Sequence, residues 1–132
     1  MNQASAATAA GLKSWVQSAN QPDCEFPIQN LPYGIFRTAA AGPRAGVAIG
    51  DRILDLAVLA QAGLLPCPAG VFEQPRLNDF IALGPDAWRS VRARLTDLLA
   101  GKDQALQGNA GLCSRALVAQ ADATMLLPVD VP

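Results

Sequence analysis

Four acidic side chains stand where general acid–base or metal chemistry would be sought first: Asp51 and Asp55, with Glu73 and Asp79 further along the chain. Paired carboxylates divide the roles of acid and base only when their surroundings push their pKa values apart. Position argues for a different use. Asp51 follows Gly50 in a two-residue connection between apolar runs, which makes it a turn residue, and Asp55 directly precedes an apolar run of helical character, which makes it an N-cap. No D-x-D-x-D-G spacing marks a calcium loop. The sequence contains no histidine, so the commonest general base and the usual partner of a Ser or Cys nucleophile is missing.

The other reactive types read as structural. Cys24, Cys67 and Cys113 are an odd number, widely spaced and without a C-x-x-C pair, so they are taken as reduced thiols with no zinc or redox role. Cys67 lies between two prolines with no adjacent base to activate it. Gly42, Gly46 and Gly50 match neither of the common phosphate-loop patterns and are assigned to strand turns and bends. Arg89, Arg92 and Arg94 share a helix whose Asp86 and Asp97 are near enough to pair with them, and are read as ordinary surface solvation. Trp15, Tyr33, Phe36 and Trp88 are too dispersed for a base-stacking platform and are assigned to packing. No catalytic, substrate-binding or metal residue is assigned in this chain.

These side chains sit in 132 residues, of which 51% are hydrophobic, enough for one domain with a core. Ten Lys and Arg against eleven Asp and Glu, with no run of either sign, exclude the footprint of a nucleic-acid partner. No stretch approaches the roughly 18 apolar residues of a membrane span. The Ala-rich opening lacks a basic region followed by an apolar core and does not read as a secretory signal. The expectation is a soluble cytoplasmic protein.

Elements that would position the side chains follow from turn and cap signals. Residues 1–13 are expected to form a flexible tail. Residues 20–32 carry three prolines and read as an extended lead-in anchored by Phe26, Ile28 and Leu31. Strands are predicted at 34–39 and 44–49, with Gly50-Asp51 turning the chain into a third. Asp55 caps a helix over 56–62 that stops at Gly63, Asn78 caps another through Leu83, and Pro85 opens the longest, an amphipathic helix to Ala100 ended by Gly101. Residues 101–111 read as a loop, 115–119 as strand or helix turn, and 123–127 as extended.

Three collinear stretches, FPIQNLPYGIF at 26–36, RAGVAIGDRILDL at 44–56 and FEQPRLNDFIALGPDAW at 72–88, together with ATMLLP at 123–128, resemble the N-terminal domain of the fumarylacetoacetase family. The resemblance spans about residues 14–128. It implies a mainly β fold with short helices, a small SH3-like barrel with an added C-terminal amphipathic helix, as domain 14–122, followed at 123–132 by a linker into an absent catalytic domain. It further implies hydrolysis of fumarylacetoacetate to fumarate and acetoacetate in tyrosine and phenylalanine catabolism. A bound Ca²⁺ or Mg²⁺ and a His that activates water would do this in the full-length enzyme. The family's metal-binding Asp and all its other site residues fall beyond Pro132, and Asp130 is not promoted to a ligand. Glu25, where the family commonly has Asp, and a simpler stretch at 39–43 are the departures.

The chain is thus expected to pack on the catalytic domain of the same enzyme, a homodimer at full length, and to be inactive and cofactor-free alone. A free-standing SH3-like interaction module is the alternative, though aromatics are only 5% of the chain and ligand grooves for Pro-rich peptides are built from them. A small enzyme using Asp51 or Asp55 comes third.

Overall fold

Gly50 has φ +59°, and its dipeptide with Asp51 joins Arg44–Ile49 (β2) to Arg52–Asp55 (β3) in an antiparallel hairpin in which Ile49 lies opposite Arg52. Glycine is required there twice over. Side chains rarely adopt that φ, and a Cβ would collide with the Ser18 hydroxyl and come within 2.7 Å of the Ala19 nitrogen. The computed structural model describes residues 12–126. All of the expected tail but Leu12 and Lys13, and the last six residues, lie outside the described residues.

The predicted first strand forms at Tyr33–Thr38 (β1), and the sheet is antiparallel with order β4-β3-β2-β1-β5, where β4 is Leu117–Ala119 and β5 is Ala123–Leu126. Its edge strands are separated in sequence only by Gln120–Asp122. Four interstrand spacings in a flat sheet span about 19 Å, whereas the peptide steps from Ala119 to Ala123 reach at most about 15 Å. The sheet must therefore curl, although no β4–β5 ladder closes it among the described residues. This curled open sheet with short helices is consistent with the expected barrel-like class.

The two faces of the sheet carry different loads. Ile35, Ala45, Val47, Ile49 and Leu54 face the main core with the helices. Phe36 and Ile53 are buried on the opposite, concave side, where a Cβ on Gly46 would come within 2.7 Å of both. Glycine at 46 lets the Phe36 ring lie across the curl.

Leu56–Gln61 (α1), Asn78–Ala82 (α2) and Pro85–Ala100 (α3) appear close to their predicted bounds, and Gly63, Gly84 and Gly101 all have positive φ at the breaks. In α2 the cap position is Leu77 and not Asn78. The long helix α3 buries Val91, Leu95, Leu98 and Leu99. Its terminal carbonyls, which a helix leaves without partners, are taken up by the lead-in: Ser14 Oγ donates to Leu99 O at 2.8 Å and Trp15 Nε1 to Leu98 O at 2.8 Å.

Three expectations change. The amphipathic helix is not the last element, because Ala110–Ala116 (α4) and two strands follow it. Part of the predicted loop at 101–111 is helical, since Asn109 caps α4 by accepting from Leu112 N at 3.1 Å. Ala123–Leu126, placed at the start of a linker, pair along β1 from Thr38 to Ile35, because an extended apolar segment beside an open edge satisfies its backbone groups there.

Asp55 is 1% exposed, caps α1 by accepting from Ala57 N at 3.1 Å and Val58 N at 3.4 Å, and forms an ion pair with Arg44. Asp55→Ala leaves Arg44 without its countercharge and α1 without its cap, and is expected to cost about 3–5 kcal/mol, read as a fall in the urea midpoint. An unchanged midpoint would remove Asp55 from this role. Gly50→Ala is expected to cost about 1–3 kcal/mol from backbone conformation alone, more with the Ser18 collision, and a melting temperature equal to the parent's would contradict the turn assignment.

Candidate functional site

The carboxylates singled out in the sequence are not assembled into a centre. Asp51 is exposed on the hairpin and accepts from Ser18 Oγ at 2.8 Å, whereas Asp55 is buried on Arg44. Glu73 accepts from Gln61 Nε2 at 2.8 Å at the surface, and Asp79 lies exposed in the first turn of α2. Among the described residues no group of three or more Cys, Asp, Glu or His side chains converges to hold a metal. The divalent cation implied for the full-length enzyme therefore finds no fitting donor set in this part of the chain, and no step is derived through it.

The three cysteines are free and half-buried. Burial pushes the thiols of Cys67 and Cys113 up, away from the thiolate that a nucleophile requires. Gly42 lies in the connection between β1 and β2, Gly50 in the hairpin turn and Gly46 within β2.

The arginines divide differently from the solvation reading. Arg89 does pair with Asp86 at the surface, at 2.5 Å. Arg92 instead donates to Asn30 O at 3.0 Å and Leu31 O at 3.1 Å, holding a buried residue whose φ is +43°. Arg94 donates to Leu64 O at 2.8 Å and pairs with Asp103 at 2.5 Å, which holds the Asp103 carboxyl below its ordinary value. Two of the three are intramolecular ties, because the lead-in and the 63–66 loop fold back onto α3.

The feature that sequence reasoning missed is an aromatic cluster that runs from the buried Phe72 and Phe80 out to the exposed Trp88. Tyr33 lies 5.2 Å from Phe80, which lies 5.0 Å from Phe72, and Trp88 Nε1 donates to Phe80 O at 3.1 Å. The Arg92 guanidinium sits 5.5 Å from the Tyr33 ring centre. Phe72, Phe80 and Trp88 recur every eighth residue, a weak signal by itself. The Tyr33 hydroxyl is buried and has no hydrogen-bond partner among the described residues; burial raises its pKa above the ordinary phenol value, with Arg92 acting the other way.

Tyr33 borders two grooves. One, of about 360 Å³, runs past Phe80, Ile81, Trp88 and Arg92. The other, of about 250 Å³, is the concave side of the sheet, where Ile53 of β3 and Met125 of β5 meet over Phe36. A larger and more open groove of about 660 Å³ lies on another side, between Trp15, Asp51 and Cys113. This last groove is lined by Ser18 and Asp51, which hydrogen-bond to each other and brace the hairpin, while among the described residues the two grooves at Tyr33 hold no nucleophile beside a base. What the grooves at Tyr33 can do is pack against apolar surface.

The chain is similar to several known proteins. The family described as "Fumarylacetoacetase N-terminal" matches residues 29–128. A fumarylacetoacetase of Caenorhabditis elegans is 49% identical over 124 residues, covering 91% of this chain and 29% of that protein. One from Bos taurus is 46% identical, covering 83% and 27%, and one from Oryza sativa subsp. japonica is 41% identical, covering 91% and 29%. The chain thus spans less than a third of the length of the curated relatives it matches. With a match across that span and motifs that fall on the hairpin, the α1 cap and the α2–α3 corner, the chain belongs to the fumarylacetoacetase N-terminal domain family.

Proposed function

We propose that this chain is the amino-terminal structural part of a fumarylacetoacetase, the hydrolase that cleaves the carbon–carbon bond of fumarylacetoacetate to give fumarate and acetoacetate in tyrosine and phenylalanine catabolism. The chain packs on the catalytic domain of the same enzyme and contributes no reacting group. The observation that carries this reading is the match to the amino-terminal family over residues 29–128, within relatives more than three times as long. The absence of histidine from the sequence agrees with a division of labour in which the water-activating base lies elsewhere.

In the full-length enzyme a Ca²⁺ or Mg²⁺ ion would polarise the diketone, on ligands outside the described residues. The location is cytoplasmic and the full-length assembly a homodimer. No helix among the described residues is long and apolar enough to cross a membrane.

A free-standing interaction module is the second reading, favoured by the exposed Trp88 beside Tyr33 and Phe80. A groove for Pro-rich peptides uses the polar tips of its aromatics as well as their faces. Here the Tyr33 hydroxyl is buried, which disfavours that use.

Purified chain incubated with fumarylacetoacetate and Ca²⁺ or Mg²⁺ is expected to show no turnover above buffer, alongside an intact fumarylacetoacetase as positive control. Turnover comparable with the control would overturn the structural role.

A further inference from the structure

Among the described residues four large apolar side chains are exposed: Met125 at 59%, Ile81 at 45%, Leu83 at 40% and Trp88 at 37%. They are not scattered. Ile81 and Trp88 line one of the grooves bordered by Tyr33, Met125 lines the other, and Leu83 lies between Ile81 and Trp88 in the α2–α3 turn. Isolated exposed apolar residues need no explanation, but a concentration around one point marks a surface that is covered in the working protein.

The direction of β5 says what covers it. Its pairing runs from Ala123 opposite Thr38 to Leu126 opposite Ile35. The strand therefore heads along β1 toward Gly34 and Tyr33, where the two grooves meet. The relatives match through their amino-terminal family and carry about 70% of their length outside the matched part. The C-terminal end of β5 therefore lies beside the apolar surface at Tyr33.

We propose that the surface around Tyr33, formed by Ile81, Leu83 and Trp88 on one side and Met125 on the other, is the seat of the carboxy-terminal portion of the same enzyme. This rests on the reading of the chain as part of a longer fumarylacetoacetase. The open groove at Trp15, Asp51 and Cys113 faces solvent in that arrangement. The partner contributes apolar side chains, since apart from Arg92, already bonded to Asn30 O and Leu31 O, the grooves at Tyr33 hold no charged group among the described residues.

Hydroxyl-radical footprinting tests the assignment, because Met and Trp side chains report their own exposure. The 132-residue chain is compared, at several concentrations, with an intact fumarylacetoacetase of which it forms the amino-terminal part. Trp88 and Met125 are expected to react severalfold more slowly in the intact enzyme, with Trp15 and Cys113 unchanged. Protection of Trp15 and Cys113 instead would overturn the surface and leave the structural role standing. Protection nowhere would overturn both. Protection that appears in the short chain as its concentration rises, with no further change in the intact enzyme, would assign the surface to a second copy and overturn the proposal. A companion variant, Ile81→Asp, should leave the melting temperature of the short chain unchanged and lower that of the intact enzyme; an equal effect on both would also count against the seat.

Discussion

One buried carboxylate ties the hydrogen-bonded β2–β3 hairpin to the helix that follows it. Asp55 ends β3, opens α1 and pairs with Arg44, the first residue of β2, while the Arg44 guanidinium lies 4.6 Å from the centre of the Phe36 ring in β1. Three strands and a helix meet at this side chain. A buried ion pair returns little net stability over an apolar pair of the same volume, because both charges leave water. Its effect is on register: a one-residue slip between β2 and β3 would exchange the two faces of the sheet and strand both charges without partners.

That register decides which side chains share the inside of the curl. With Gly46 opposite Asp55 and Ala48 opposite Ile53, small residues of β2 line the concave face, and Phe36 and Ile53 fill it. The other face shares one core with α1 and α3, and the terminal carbonyls of α3 are tied to the lead-in at Ser14 and Trp15. The domain closes its own core in this way, and among the described residues its exposed large apolar side chains are Ile81, Leu83, Trp88 and Met125.

Much of the fold is legible in local sequence. The hairpin at Gly50-Asp51, the Asp55 cap, the glycine breaks at 63, 84 and 101 and the stripe of α3 all follow from conformational preferences that act within a few residues. Helix α4 escaped this reading because Gly108 and Gly111 bracket its start, and glycine argues for loop unless the Asn109 cap is recognised. Strand β5 read as an outgoing linker because extended apolar sequence does not reveal whether an edge is waiting for it. Arg92 and Arg94 read as solvated because their acceptors, the carbonyls of Asn30, Leu31 and Leu64, lie far away in sequence.

The amino-acid sequence by itself determined the family, through collinear motifs, and the chemistry unavailable to this chain, through the absence of histidine. Both are properties of which residues are present and in what order. Tertiary structure alone decided that Asp55 is buried with Arg44 while Asp51 is exposed, and that Tyr33 meets Phe80 and Trp88 at one groove and Met125 at another. Burial and pairing depend on segments that meet only after the sheet has curled and the lead-in has closed over α3, and no local preference carries that information.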